Sequence, residues 1–189
     1  MRYITGFIFI FSLFTLTASA QEEPKEKFPK YGYVKTDTAE VKAGDNVNFE
    51  TLCVLSKSAS VKIIDRRYSW YKILLPRKAF LYISKDYVTL TSDEKGIGIV
   101  NGSNVNLRAG AGTRFSIVGQ VSKPEKVSII SEDNGWYKIE PPYATAGWIN
   151  SSQISLAEEE KAKGYEQKNE KLNVNYPAPA KAKGNLTIR

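Results

Sequence analysis

The chain has 189 residues, with 27 Lys+Arg against 20 Asp+Glu, a formal net charge of +7 at pH 7, one Cys and no His. Without histidine these residues offer no Ser-His-Asp or Cys-His activation of a nucleophile, no imidazole-held zinc and no proximal histidine for a haem. A hydrophobic fraction of 42% beside 25% charged residues is the composition of a folded soluble chain, and the length allows one or two domains.

The first twenty residues read as an export signal. Arg2 gives a basic start, Ile4 to Leu16 is an almost unbroken apolar run, and Ala18-Ser19-Ala20 places small residues where a signal peptidase cuts. The run is shorter than the roughly 20 residues a helix needs to cross a bilayer, so no stable membrane insertion is expected after cleavage. The mature chain is then expected to begin at Gln21 with a short charged leader, residues 21–30, in the periplasm, outside the cell or at its wall. The lone Cys53 cannot form an intramolecular disulfide there, and between Leu52 and Val54 it reads as a small apolar strand residue.

Sliding the chain against itself by 66 positions aligns Gly32–Leu90 with Gly98–Leu156 without a gap, and 17 of 59 positions are identical. The matches include Ala43-Gly44 with Ala109-Gly110, Phe49 with Phe115, and Trp70-Tyr71-Lys72-Ile73 with Trp136-Tyr137-Lys138-Ile139. Each copy reads as β. In the second, Val105-Asn106-Leu107 alternates, Ser116–Val121 and Lys126–Glu132 are apolar-rich, Asn134-Gly135 marks a hairpin turn before Trp136, and Gly147-Trp148-Ile149 makes a last short strand. Five short strands near ten residues apart suggest a small barrel, a shape that protects its own edges. The expected fold is therefore all-β: two tandem small barrels over residues 31–90 and 97–156, joined by a linker at 91–96. The tail, residues 157–189, is Ala/Lys/Pro-rich and reads as a flexible basic extension, with a possible short polar helix at its start.

The run Val105-Asn106-Leu107-Arg108-Ala109-Gly110-Ala111-Gly112-Thr113, then Gly135-Trp136-Tyr137-Lys138-Ile139, then Gly147-Trp148-Ile149 resembles the bacterial SH3-like (SH3b) domain family, three motifs in order at fitting distances. The resemblance implies two tandem SH3-like β-barrels, export, and a non-catalytic binding role, commonly toward cell-wall peptidoglycan or peptides. The first copy departs from the pattern, with Val41-Lys42-Ala43-Gly44-Asp45 in the first motif, Tyr68-Ser69 at the hairpin, and Leu81-Tyr82-Ile83 in place of Gly-Trp-Ile.

Candidate ligand-binding residues follow from alternation. If Tyr137 and Ile139 point inward, Trp136 and Lys138 point outward, and Ile149 inward puts Trp148 outward, so two indoles could share one face. Such a platform holds sugar rings or peptide segments, because flat apolar faces gain burial while the indole N–H still donates. Arg108 flanks the Gly110/Gly112 loop, which is no phosphate cradle because no helix begins there; its glycines are expected to supply positive φ. Arg66-Arg67 and Arg77-Lys78 gather four cations in two turns of the first copy, suited to carboxylates. No paired carboxylates repeat between copies, so no catalytic residue, metal or cofactor is expected, and export argues against nucleic acid. The functional expectation is an exported non-enzymatic binding protein that recognises peptidoglycan or another envelope ligand through Trp136, Trp148, Lys138 and Arg108, assisted by Arg66, Arg67, Arg77 and Lys78. The alternative is a protein-interaction adaptor in the envelope with no wall binding.

Overall fold

The computed structural model describes residues 26–157 except residue 93. The expected export signal, residues 21–25 of the leader, and the tail from residue 158 lie outside the described residues.

The first copy supplies β1 (Lys30–Val34), β2 (Thr38–Lys42), β3 (Thr51–Ser56), β4 (Ser60–Arg67), β5 (Trp70–Leu74), β6 (Leu81–Ser84) and β7 (Val88–Leu90). The second repeats them as β8 (Ile97–Val100), β9 (Val105–Arg108), β10 (Ile117–Val121), β11 (Lys126–Asp133), β12 (Trp136–Ile139), β13 (Ala146–Asn150) and β14 (Ile154–Leu156). Among the described residues the only helical pieces are two 3-10 turns, Lys85–Tyr87 and Ser151–Gln153. Equivalent side chains cap them: Ser84 accepts from the Asp86 N–H and Asn150 from that of Ser152. β2, β5, β6, β8, β9, β12 and β13 follow the period-2 pattern of a sheet with one covered face. On β13, Gly147 and Ile149 are buried while Trp148 and Asn150 are half-buried. The hairpin between β11 and β12 turns through Asn134 (φ 47°) and Gly135 (φ 80°), both in the left-handed region a two-residue turn requires. In the first copy Tyr68 (φ 51°) takes the same conformation, and Arg66 Nε donates to its carbonyl at 3.1 Å.

The pairing departs from two self-contained barrels. There are two seven-stranded sheets, ordered β14-β1-β4-β5-β13-β2-β3 and β10-β9-β6-β12-β11-β8-β7. The last two strands of each copy thus complete the sheet of the other. In the first sheet β13 lies against β5 with Gly147 opposite Ile73 and Ile149 opposite Tyr71. In the second β6 lies against β12 with Leu81 opposite Ile139 and Ile83 opposite Tyr137. The second sheet is therefore contiguous, Leu81 to Ile139, and is inserted into the first. The segment read as a linker, 91–96, connects two strands that are paired in the second sheet, β7 with β8 (Val88 opposite Val100, Leu90 opposite Gly98). No ladder joins the two edge strands of either sheet.

Each sheet encloses one core. The first holds Val34, Ala39, Val41, Leu55, Val61, Ile63, Tyr71 and Ile73 with Ile149 and Ile154 from the second copy. The second holds Val100, Val105, Leu107, Val121, Val127, Tyr137 and Ile139 with Leu81, Ile83 and Val88 from the first copy, and Ala43 and Leu52 join it across the contact between sheets. A tie between equivalent positions reinforces that contact: Glu50 Oε1 accepts from the Ser116 N–H at 3.0 Å. Burial pushes the Glu50 carboxyl pKa up, but the N–H groups of Glu50 and Ser116 outweigh it and hold it below the ordinary value. The tie therefore stands above the ordinary carboxylate range and is lost as pH falls through the depressed pKa.

Two connections carry the chain between sheets, residues 75–80 and 140–145. Each holds one turn, Ala79 N–H to Pro76 O at 2.9 Å and Thr145 N–H to Pro142 O at 3.2 Å, and where they pass, Leu75 N–H donates to Thr145 O at 2.9 Å. A residue before proline is biased to extended backbone, which disfavours doubling straight back onto the preceding strand. The side chains then select the partner. Gly147 occupies in the first sheet the place that Leu81 fills, fully buried, in the second. A Cβ on Gly147 would lie 2.8 Å from both Leu75 Cδ2 and Val41 Cγ1. If β6 returned to β5, Leu81 would meet that crowding. If β13 returned to β12, glycine would replace a buried leucine, a loss of about 2–5 kcal/mol on the scale of leucine truncation.

Gly147→Ala should cost about 1–3 kcal/mol by overpacking. Leu75→Ala in the same chain should make the double variant more stable than the sum of the two singles, by about 0.5–3 kcal/mol. Urea denaturation of the four proteins measures this, and strict additivity would show that Leu75 and Gly147 do not touch.

Candidate functional site

Five residues stand in register across five strands of the first sheet: Thr51, Lys42, Trp148, Lys72 and Asp65. The equivalent row crosses the second: Ile117, Arg108, Tyr82, Lys138 and Ser131. The centre of each row is an aromatic on an exchanged strand, and the cations beside it come from the other copy. Alternation turns the central three of each row away from the cores, whose buried residues are their strand neighbours. Adjacent strands lie about 4.8 Å apart, so the two cations of a row are held about 10 Å apart at the backbone with the ring between them.

The two rows differ in charge. In the first, Lys72 Nζ sits 5.6 Å from the Trp148 ring centroid, Lys42 is ion-paired with Glu40 at 2.8 Å, and Asp65 stands opposite Lys72. In the second, Asn106 and Ser131 occupy the positions of Glu40 and Asp65. There Lys138 Nζ lies 3.9 Å from the Phe80 ring centroid, a cation–π contact. Arg108 Nη1 donates to the carbonyls of Phe115 (2.8 Å) and Thr113 (3.0 Å), which fixes its guanidinium on the sheet.

Of the residues singled out from the sequence, Trp136, Lys138 and Trp148 do point away from the cores. Trp136 and Trp148 nonetheless belong to different sheets, because the exchange carries Trp148 to the first copy. Trp148 instead shares a face with Trp70, which stands opposite Asn150, and Trp136 with Tyr82. Arg108 fastens the loop beside it. Gly110 serves close approach rather than positive φ, since a Cβ there would sit 2.6 Å from the Phe115 ring, whereas Gly112 does take a positive φ of 151°. Arg66 braces the β4–β5 turn and pairs with Glu26 at 3.4 Å, and Arg67 pairs with Asp45 at 3.3 Å. Arg77 and Lys78 are exposed in the first connection between sheets. Lys42, Lys72, Tyr82 and Phe80 escaped the sequence reading. The repeat offset already placed Tyr82 on Trp148, but only the exchange shows which cations flank them.

Residues 103–155 match the family model described as bacterial SH3 domain. That stretch is contiguous in sequence, from the approach to β9 through β14, yet its strands are divided between the two sheets. Over 153 residues the chain is 25% identical to "Putative N-acetylmuramoyl-L-alanine amidase YrvJ" of Bacillus subtilis (strain 168), covering 77% of this chain and 28% of that protein. The chain thus spans little more than a quarter of that relative's length. This match corrects one expectation: the sequence reading denied an enzymatic role, and the chain is similar to a protein named as an enzyme. The missing histidine removes particular mechanisms from these residues but says nothing about the catalytic setting in which such a fold operates.

Cys53 packs half-buried against the first core, and burial pushes its thiol up to about 11, against the smaller opposing charge of Lys78. The ordinary value is 9.0, so the folded chain holds roughly a hundredfold less thiolate at pH 8. Iodoacetamide should therefore label folded Cys53 about a hundredfold more slowly than the urea-unfolded chain. Equal rates would place the thiol in water.

Proposed function

We propose that the chain is an exported cell-envelope protein that binds peptidoglycan through the aromatic faces of its two sheets. The observation that carries this reading is the coincidence of a bacterial SH3 domain match over residues 103–155 with outward aromatic residues flanked by cations in both sheets. The relative's name supports the ligand class, since an N-acetylmuramoyl-L-alanine amidase is named for a bond joining an acylated amino sugar to an amino acid. Trp148 with Lys72, and Trp136 with Lys138, supply the stacking surfaces. Arg66, Arg67, Arg77 and Lys78 add positive charge on the first copy, where carboxylates of the wall would meet it.

Residues 21–189 should co-sediment with purified cell-wall sacculi at low salt. Trp148→Ala should weaken retention about tenfold, the equivalent of about 1.4 kcal/mol, with a thermal midpoint close to that of the parent. Protein left in the supernatant, with Trp148→Ala silent, would end the wall-binding reading and favour an adaptor that holds a protein partner.

A further inference from the structure

We infer that the row on the second sheet, Arg108–Tyr82–Lys138, is a site for a carboxylated polysaccharide, assembled by the strand exchange from both copies. The inference rests on the envelope-binding reading above and narrows it to one face and one ligand chemistry.

Three observations carry it. The first is charge. Two cations flank the ring, and the acidic neighbours of the equivalent row are replaced by Asn106 and Ser131. The first-sheet row carries Glu40 and Asp65 beside its cations, whereas none of the five residues of this row is a carboxylate. The second is order. Arg108 is tied by Nη1 to two carbonyls and Lys138 lies over Phe80, so both cations are held before any ligand arrives and lose little side-chain freedom on binding. The Nε and Nη2 edge of the Arg108 fork is suited to a carboxylate.

The third is position. Tyr82 stands on β6, which has β9 on one side and β12 on the other. Peptides that bind sheets add main-chain hydrogen bonds at an edge, and here the flanking strands already occupy both sides. A ligand on this face is read by side chains alone. A sugar ring stacked on Tyr82, with carboxylates reaching Arg108 and Lys138 to either side, uses what the face offers. An acidic peptide would forgo the backbone pairing that usually holds it.

The test uses residues 21–189 with three soluble probes, tetragalacturonate, chitotetraose and tetraglutamate, followed by amide chemical shifts and titration calorimetry. Tetragalacturonate should bind with shifts centred on β6, β9 and β12, and at least tenfold more tightly than chitotetraose or tetraglutamate. Tyr82→Ala and Lys138→Gln should each weaken it tenfold or more, while Tyr82→Phe keeps most of the affinity and shows that the ring, not the fold, was lost. Equal binding of chitotetraose, tighter binding of tetraglutamate, or an unchanged Tyr82→Ala would each overturn the site. Sacculi retention of the same chain separates the two claims. A parent that binds tetragalacturonate but does not pellet sinks wall binding and leaves this site standing, whereas a parent that pellets but does not bind tetragalacturonate sinks this site alone.

Discussion

The ladders between β5 and β13, and between β12 and β6, are what the rest of the molecule depends on. Without them the N–H and C=O groups on one side of β5 and of β12 would lose their partners, and each core would lose the inward isoleucine that covers it, Ile149 in the first sheet and Ile83 in the second. Unpaired buried backbone groups are costly and an open central strand invites association. Both needs are met by strands from the opposite copy, so neither sheet is complete within its own repeat. A 60-residue unit is marginal alone because it buries only about 60% of its unfolded surface. Nesting one sheet in the other, with Ala43 and Leu52 shared into the second core, lets two marginal units support each other.

The same ladders build the candidate surface. An aromatic at the start of a copy's last strand pair faces the cations of the other copy, giving Lys42–Trp148–Lys72 in one sheet and Arg108–Tyr82–Lys138 in the other. The repeats have diverged where this matters: Glu40 and Asp65 temper the first row, and Asn106 and Ser131 leave the second cationic. The excess positive charge of the first copy, concentrated at Arg66, Arg67, Arg77 and Lys78, lies at the end of β4 and in the first connection between sheets, beside the rows and not within them. Arg66 and Arg67 are partly engaged with Glu26 and Asp45. Net charge by repeat and local charge at the aromatic faces therefore point to different sheets.

Much of this was legible from residues. The Asn134-Gly135 turn, the alternation through Trp136-Tyr137-Lys138-Ile139 and the 66-residue offset fix strands, faces and repeat, because each depends on neighbours along the chain. The exchange was not legible, because the residues that meet across the ladder are the same in both copies: Tyr71 or Tyr137 opposite Ile149 or Ile83. Either strand satisfies either partner locally. The distinguishing signal is the unlike pair, Leu75 with Gly147 against Pro141 with Leu81, which reads as a choice only once the side chains are placed. The shared face of Trp136 and Trp148 failed for this reason.

The exchange itself is open to a direct measurement. In a Cys53→Ser chain, Lys72→Cys can be combined either with Trp148→Cys, its partner across β5 and β13, or with Tyr82→Cys, its partner if each copy closed on itself. Directly opposed residues carry Cβ atoms about 5 Å apart, within reach of a short bismaleimide and near disulfide range. The exchanged fold predicts rapid intramolecular cross-linking of the 72/148 pair in the monomer and none of the 72/82 pair. A monomer that links 72 to 82 and leaves 72 and 148 free would contradict it.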